Sequence, residues 1–362
     1  MSGIPLSKCF VNAEVEAAAL RALRSGQYIL AAESKAFEAE LAAWAGVKHA
    51  ILGSSCTMIV YLLHLAQGLK RGDEVVVPSH TAFPTVEPLI HCGATPVFCD
   101  IDDTFCLDAE QLELLVTPRT VGIIPVHLYG HPANLDRAFE VAARHQLWVL
   151  EDCAQAQGAK YNGKTVGSMG NFGAFSFFPS KNLTVLGDGG CLVTNDDALA
   201  EKVRMLRNHG RKDKYHHELA GFNVRFNEIQ AAIGRVMLKH LDEFNDNRRK
   251  IASRYNERLK GIVQTPVEKP WARAVYHMYV IRSEKRDELQ KFLKDRGIDT
   301  GIHYPVPNHQ QPGVTNQFKN LPLLPKTEQA VKEILSLPIH GEMTLDTADK
   351  VADVVAEFYG KK

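Results

Sequence analysis

Short runs of consecutive apolar residues alternate with amphipathic stretches along the first two thirds of the chain. Several runs are rich in Val, Ile and Phe without alternating polar positions, which is typical of strands buried on both faces. The intervening stretches 57–67, 109–115 and 135–145 have helical periodicity. This alternation predicts an α/β fold, with a mostly parallel seven-stranded sheet flanked by helices. The seven predicted strands are residues 49–52, 74–78, 96–100, 121–126, 147–151, 172–178 and 190–194.

The pattern changes after residue 223. A long, charged, helix-forming stretch covers residues 227–259 and is followed by an apolar run at 278–281 and a helical pattern at 285–295. A loop with three prolines spans residues 303–312, and an amphipathic segment covers 345–358. We therefore expect a large domain from residue 1 to 240 and a smaller C-terminal α/β domain from 241 to 362.

Composition and charge exclude several classes of protein. The 362 residues contain 42 Lys plus Arg and 42 Asp plus Glu, so no overall field attracts nucleic acid or an anionic membrane. No apolar run is long enough to span a membrane, and the N-terminus has no signal-peptide pattern. The seven cysteines form no CxxC pair and are interpreted as buried free thiols. We expect a cytoplasmic protein without a nucleic-acid or membrane partner.

Polar residues stand at the ends of two predicted strands. Asp152 follows the strand 147–151, and Ser176 and Lys181 lie at or just beyond the end of the strand 172–178. Ligands of such sheets bind at the carboxyl ends of the strands. A lysine for a Schiff base, a carboxylate for the pyridinium proton and a hydroxyl for the phosphate are what pyridoxal 5′-phosphate (PLP) requires. The alternatives are a surface lysine and an aspartate that caps a helix.

Two further segments bear on this hypothesis. Gln155 would share a helical face with Asp152 if a helix began there. Residues 54–57, Ser-Ser-Cys-Thr, precede a helical pattern, where free amides bind anions or where a hydroxyl merely caps the helix. The glycines of residues 187–190 indicate a tight turn.

The histidines do not indicate a metal site. His216, His217, His303 and His309 lack HExxH spacing and have no carboxylate at ligand spacing. The chain also lacks GxGxxG after a strand and GxxxxGK[ST]. We predict no metal and no nicotinamide or ATP fold.

Several blocks in order resemble the DegT/StrS family of sugar-nucleotide aminotransferases, which are PLP enzymes of the aspartate-aminotransferase type I fold. The resemblance covers nearly the whole chain. The blocks are residues 26–30, 125–130, 151–155, 175–183, 221–225 and 303–305.

The resemblance implies a role for each cofactor residue. Lys181 would form the Schiff base and move the proton, and Asp152 would pair with the pyridinium nitrogen. Gln155 would lie near the oxygen of the ring. The phosphate group would be held by Ser176 and by the amides of Cys56 and Thr57.

The resemblance also implies a homodimer with shared active sites. Asn223 would reach the phosphate region of the neighbouring subunit, with Arg225 nearby. His303 and Tyr304 would line the sugar side of the pocket.

The chain departs from the family at two positions. The family often has glycine where Cys56 stands, and an aromatic residue that stacks on the PLP ring where Ala82 stands. His80 or Phe83 could replace that aromatic residue, and His80 is counted with the substrate side. Family members that act as dehydratases have histidine in place of the lysine, so Lys181 favours an aminotransferase.

The expected reaction transfers an amino group from L-glutamate to a keto-sugar nucleotide. The product would be an amino sugar for a cell-surface polysaccharide or a secondary metabolite. Two alternatives are a regulatory protein that keeps the PLP fold without turnover and an aminotransferase that acts on a cyclic ketone without a nucleotide.

Overall fold

The computed structural model describes residues 3–361. The strands are β1 (His49–Gly53), β2 (Glu74–Pro78), β3 (Thr95–Cys99), β4 (Thr120–Ile123), β5 (Trp148–Asp152), β6 (Lys160–Tyr161), β7 (Lys164–Thr165), β8 (Phe172–Ser176), β9 (Gly190–Thr194), β10 (Ala272–Arg273), β11 (Tyr279–Arg282) and β12 (Ile334–Leu337). The helices are α1 (Ala13–Arg24), α2 (Ala32–Ala45), α3 (Cys56–Gln67), α4 (Glu87–His91), α5 (Leu112–Leu115), α6 (Leu135–His145), α7 (Asp197–Leu206), α8 (Glu228–Arg258), α9 (Arg286–Asp295), α10 (Pro312–Thr315), α11 (Pro325–Glu333) and α12 (Leu345–Phe358).

The predicted seven-stranded sheet is confirmed, with the order β1-β9-β8-β5-β4-β2-β3. The pairs from β8 to β3 are parallel, and β9 is antiparallel to both of its neighbours. Each of the seven predicted apolar runs overlaps one of these strands. Their side chains are almost entirely buried because helices cover both faces of the sheet.

Two of the strands end at least two residues earlier than the apolar pattern predicts. The run 121–126 forms a strand only to Ile123, and Pro125, which has no N–H to donate to a ladder, follows closely. The run 172–178 leaves the sheet after Ser176, and Phe178 is exposed. After β4 and after β8 the chain therefore leaves the sheet early, and these are the places where it approaches the site.

Helix α8 belongs to two hydrophobic cores. Its first half packs against α1 and α2, with Phe244 the last of its residues in that core. From Ile251 onward it packs in the core formed by β11, β12, α9 and α12. The predicted domain boundary at residue 240 lies inside this continuous helix and stays a prediction. The change of core occurs between residues 244 and 251.

Three chain segments meet at the edge of the sheet where β5 and β8 end. Ser176, the last residue of β8, pairs with Gly190, the first residue of β9, and Gly190 also pairs with Gly53 at the end of β1. Helix α3 begins at Cys56, three residues beyond β1. The edge therefore collects a helix N-terminus, a serine and the aspartate at the end of β5.

Gly190 allows α3 to begin directly on the sheet. A Cβ at this position would lie 2.3 Å from the backbone nitrogen of Cys56 and 2.5 Å from its Cα. Real Cβ atoms do not approach backbone this closely, so any side chain at residue 190 would displace the first turn of α3. The glycine run 187–190, predicted as a tight turn, thus includes a packing position.

None of the helices in residues 3–361 has the length and apolar character needed to cross a membrane.

We expect Gly190→Ala to lower the free energy of unfolding by about 1–3 kcal/mol, because the new methyl group overlaps backbone that cannot rotate away. Gly53→Ala is a matched control, since Gly53 pairs with Gly190 and the three atoms nearest to its Cβ would be side-chain atoms of Ile59 and Val224, at 3.1–3.3 Å. The control is expected to stay within about 1 kcal/mol of the unsubstituted protein. Denaturant unfolding measures both, and equal midpoints for the two variants would contradict the close contact.

Candidate active site

A cavity of about 290 Å³ opens at this edge of the sheet. Five of the residues predicted from the sequence line it. They are Cys56, Thr57, Asp152, Ser176 and Lys181.

Lys181 is partly buried just beyond β8. Burial lowers its pKa to about 8, although the charges of Asp152 and Cys56 act in the opposite direction. A substantial share of the amine is therefore neutral near pH 8, and a neutral amine is the nucleophilic form. The alternative of a solvated surface lysine does not describe this position.

The loop that carries Lys181 is anchored by its neighbour in the sequence. The Asn182 side chain donates to the Asn245 side chain at 2.8 Å and to the carbonyl oxygen of Val275 at 3.1 Å. Asn245 in turn donates to the carbonyl oxygen of Gln157 at 2.8 Å. These buried bonds tie the lysine loop to α8, and the sequence offered no sign of them because the partners are far apart along the chain.

Asp152 is held by one bond to each carboxylate oxygen. Its Oδ1 accepts from the Ala154 amide at 3.0 Å, and its Oδ2 accepts from the Thr85 hydroxyl at 2.8 Å. No helix begins in residues 153–159, so Asp152 does not cap a helix, and the bond to Ala154 closes a local turn. Thr85 was not identified from the sequence, although it also lines the cavity.

The phosphate-binding prediction finds a matching set of donors. The Ser55 hydroxyl caps α3 by accepting from the Met58 amide at 3.2 Å. Within residues 3–361, the amides of Cys56 and Thr57 donate to no acceptor. The Ser176 hydroxyl lies at the same edge of the sheet. Two free amides at a helix N-terminus together with a hydroxyl form an anion-binding cradle.

The residues of the cavity fit PLP. The cradle matches a phosphate, the partly neutral amine of Lys181 matches an aldehyde, and the Asp152 carboxylate matches a protonated ring nitrogen. Burial raises the pKa of the Cys56 thiol, so this residue offers its amide rather than a thiolate.

Gln155 lies behind the cavity rather than in its lining. Its Oε1 accepts from the Tyr129 amide at 2.7 Å, and its Nε2 donates to the Tyr304 hydroxyl at 3.0 Å. The Tyr129 hydroxyl donates to the carbonyl oxygen of His303. The structure therefore brings Gln155, His303 and Tyr304 together around Tyr129, a residue that the sequence did not single out.

Neither His80 nor Phe83 lines the cavity beside Ala82. His80 is buried, and its Nε2 lies 2.7 Å from the Tyr129 hydroxyl. Because that hydroxyl donates to His303, it accepts from His80. Burial lowers the pKa of His80 to about 4, so the ring is neutral near pH 7. The Phe83 ring lies close to Gly313.

Asn223 and Arg225 lie outside the lining of this cavity. Asn223 is exposed, and its Oδ1 accepts from the Arg225 Nε at 3.0 Å.

One group of residues within 3–361 has the spacing of a metal site, namely His127, Glu151 and Cys153. The Glu151 carboxylate already accepts from the amides of Gly167, Met169 and Gly170 at 2.7–2.8 Å and lies 3.1 Å from His127 Nε2. The other ring nitrogen of His127 accepts from the Ala133 amide at 3.0 Å. The ligand atoms of His127 and Glu151 are thus used within the fold.

The position of Lys181 can be checked by competitive acetylation of the cofactor-free protein with acetic anhydride, read by mass spectrometry. Acetylation of Lys181 should rise with a midpoint near pH 8. Lys212 is an internal control, because a hydrogen bond to Glu218 raises its pKa. Asp152→Asn should move the Lys181 midpoint to lower pH, since it removes the charge that raises this pKa. A Lys181 midpoint equal to that of Lys212 would contradict the buried amine.

Comparison with known proteins agrees with this geometry. A pleiotropic regulatory protein of Geobacillus stearothermophilus is 45% identical over 93% of this chain and 92% of its own. The dTDP-3-amino-3,4,6-trideoxy-alpha-D-glucose transaminase of Streptomyces venezuelae is 43% identical over 96% of this chain and 93% of its own. The crystal structure of S. venezuelae DesV in complex with a ketimine intermediate matches with a TM-score of 0.97, at 41% identity, over 100% of both chains. A family model matches residues 11–356. The chain therefore belongs to the DegT/DnrJ/EryC1/StrS aminotransferase family, and the match confirms the family, the aminotransferase activity and the PLP cofactor predicted from the sequence.

Proposed function

We propose that the protein transfers the amino group of L-glutamate to the ketone of a nucleotide-linked sugar, in the biosynthesis of an amino sugar for a cell-surface polysaccharide or a secondary metabolite. The observation that carries the proposal is the cavity that joins Lys181, Asp152 and the anion cradle of α3. The S. venezuelae relative is named for a dTDP-linked amino sugar, which supports this class of acceptor.

The cavity residues would divide the work of binding and proton transfer. PLP, when bound, supplies an electrophilic carbon and an electron sink. Lys181 would act as the nucleophilic amine and would then take and return the substrate proton at Nζ, a role usually worth about 10²–10⁴-fold in rate. The Asp152 carboxylate would accept a hydrogen bond from the protonated ring nitrogen. The amides of Cys56 and Thr57 and the Ser176 hydroxyl would hold the phosphate.

The substrate side would be formed around Tyr129. We propose that His303 and Tyr304 line the sugar region and that Gln155, which donates to Tyr304, orients this segment beside the ring oxygen. His80 would act on the same segment through the Tyr129 hydroxyl rather than by touching the sugar. Arg225 would contribute a positive charge to the substrate of the neighbouring subunit.

We also propose a homodimer with shared sites. Phe178 lines the cavity and is 51% exposed, and Tyr28 and Ile29 are 52% and 48% exposed. Large apolar side chains at this exposure favour burial against a second copy. Asn223 is exposed outside its own cavity, so it is available to reach the phosphate of a neighbouring chain. The cytoplasm is the proposed location, because all seven cysteines are free thiols.

A regulatory protein without turnover is the second candidate, since the Geobacillus relative is named as one. The intact set of Lys181, Asp152 and Ser176 favours the enzyme. A third reading, an aminotransferase for a cyclic ketone without a nucleotide, uses the same cavity and differs only in its acceptor.

The reaction can be tested in two halves. With PLP and L-glutamate alone, the protein should release about one 2-oxoglutarate per site, because it keeps the amino group when no acceptor is present. A panel of keto-sugar nucleotides, free keto-sugars, cyclic ketones and keto acids then identifies the acceptor by the mass of the product. Nucleotide-linked ketones should react best, since contacts to the nucleotide orient the carbonyl.

Lys181→Ala should release no 2-oxoglutarate, whereas Lys164→Ala, at an exposed lysine on β7, should behave like the unsubstituted protein. Turnover with keto acids alone would remove the sugar nucleotide from the proposal. Tight PLP binding without any transfer from a panel of amino acids would favour the regulatory candidate.

Shared sites can be tested by mixing two inactive chains. Lys181→Ala lacks the nucleophile, and Asn223→Ala should lose most activity if Asn223 holds the neighbour's phosphate. A heterodimer of the two has one site with both residues intact, so an equal mixture should regain about a quarter of the normal sites. Full activity of Asn223→Ala alone, or no recovery after subunit exchange has been demonstrated, would contradict the shared site.

A further inference from the structure

We propose that Thr85 is a positioning residue for Asp152, and that Thr81 orients the Thr85 hydroxyl. This inference rests on the PLP site proposed above and deepens it. Its basis is a short chain of buried hydroxyl groups that ends on the carboxylate. The Thr81 and Thr85 hydroxyl oxygens lie 3.0 Å apart, and the Thr85 hydroxyl lies 2.8 Å from Asp152 Oδ2.

The chemistry of the three groups fixes the direction of these hydrogen bonds. An ionised carboxylate only accepts, so the single proton of the Thr85 hydroxyl is donated to Asp152. The Thr85 oxygen must then accept from Thr81, whose own proton points toward Thr85. The chain therefore runs from Thr81 to Thr85 to Asp152, and both hydroxyls support the negative charge of the carboxylate.

The backbone holds both threonines in place. Thr85 ends a single 3₁₀ turn, Phe83–Thr85, in which Pro84 limits the backbone and the Thr85 amide donates to the carbonyl oxygen of Ala82 at 3.1 Å. The carbonyl oxygen of Thr81 accepts from the Asn308 side chain at 3.0 Å. Thr81 and Thr85 are 3% and 5% exposed, so water does not compete freely for their hydroxyls.

Two bonds therefore hold Asp152 at both oxygens. The Ala154 amide is local and would persist in any chain that keeps this turn, whereas the Thr85 hydroxyl comes from a segment 67 residues away. Removing the hydroxyl would leave the carboxylate free to rotate about the bond to Ala154. It would also remove a hydrogen bond that stabilises the ionised carboxylate, which is the form that pairs with a protonated ring nitrogen.

The test measures binding of pyridoxamine 5′-phosphate, which carries the ring nitrogen and the phosphate but cannot react with Lys181. Thr85→Val should weaken its binding about tenfold, the effect of losing one hydrogen bond to a charged group. Thr85→Ser keeps the hydroxyl and should stay within about threefold of the unsubstituted protein. Thr81→Val leaves Thr85 in place but lets its hydroxyl rotate, so its loss should be smaller, about twofold to fivefold.

A double-mutant cycle separates positioning from a general structural effect. In an Asp152→Ala background, Thr85→Val should change the affinity by less than about twofold, because the group it positions is gone. Thr327→Val is the matched control, since the buried Thr327 hydroxyl donates to the Asp100 carboxylate at 2.7 Å and neither residue lines the cavity. It should leave the affinity unchanged in both backgrounds.

Affinity of Thr85→Val equal to that of the unsubstituted protein would overturn the inference. An equally large loss in the Asp152→Ala background would do so too, because Thr85 would then act independently of the carboxylate. If Thr85→Val does not fold, the affinity of Thr81→Val, which disturbs the hydroxyl chain, is compared with that of Thr85→Ser, which keeps it. Failure of the unsubstituted protein to bind pyridoxamine 5′-phosphate would instead contradict the proposed PLP site itself.

Discussion

The first turn of α3 lies directly on the backbone of Gly190, and the site depends on this contact. Because Gly190 also pairs with Ser176, the contact brings the free amides of α3 beside the serine at the end of β8. Lys181 follows Ser176 by five residues, so the same register places the amine next to the anion cradle. A side chain at residue 190 would separate the helix from the serine and divide the cradle. The absence of a side chain at residue 190 thus allows the phosphate donors to converge.

The cavity combines groups of opposite charge. The N-terminus of α3 provides partial positive charge, and the Asp152 carboxylate provides negative charge. Lys181 lines the same cavity, and burial keeps its pKa low even though Asp152 opposes the shift. A fully solvated lysine would be almost entirely protonated near neutral pH. The arrangement therefore keeps some neutral amine available in a site that still contains the anionic partner required at the ring nitrogen.

The sequence predicted the parts of this structure that local pattern determines. Apolar runs located all seven strands, and strand ends located Asp152, Ser176 and Lys181. It did not reveal Thr85, Tyr129 or Gly190. Each of these acts on residues brought close only by the fold, as when the hydroxyl of Thr85 meets a carboxylate 67 positions away. The glycine run 187–190 predicted a turn, but the packing role of Gly190 depends on where α3 begins.

A second set of contacts joins the segment 303–309 to Tyr129 and to the residues just beyond β2. At one end of the segment 303–309, Tyr129 binds the His303 carbonyl oxygen. At the other, Asn308 and His309 bind the residues just beyond β2: the Asn308 side chain donates to the Thr81 carbonyl oxygen at 3.0 Å, and His309 Nδ1 lies 2.6 Å from the Ser79 hydroxyl.

These contacts place the segment expected to meet the sugar on the same support that orients Asp152 through Thr81 and Thr85. The segment 303–309 and the hydroxyl chain therefore meet in one short stretch, residues 79–85, where the Thr81 carbonyl oxygen accepts from Asn308 and the Thr81 hydroxyl faces Thr85. Apolar side chains of similar size at positions 81 and 85 would keep the Asn308 bond, which goes to the backbone, but would remove the hydroxyl groups from the Asp152 carboxylate.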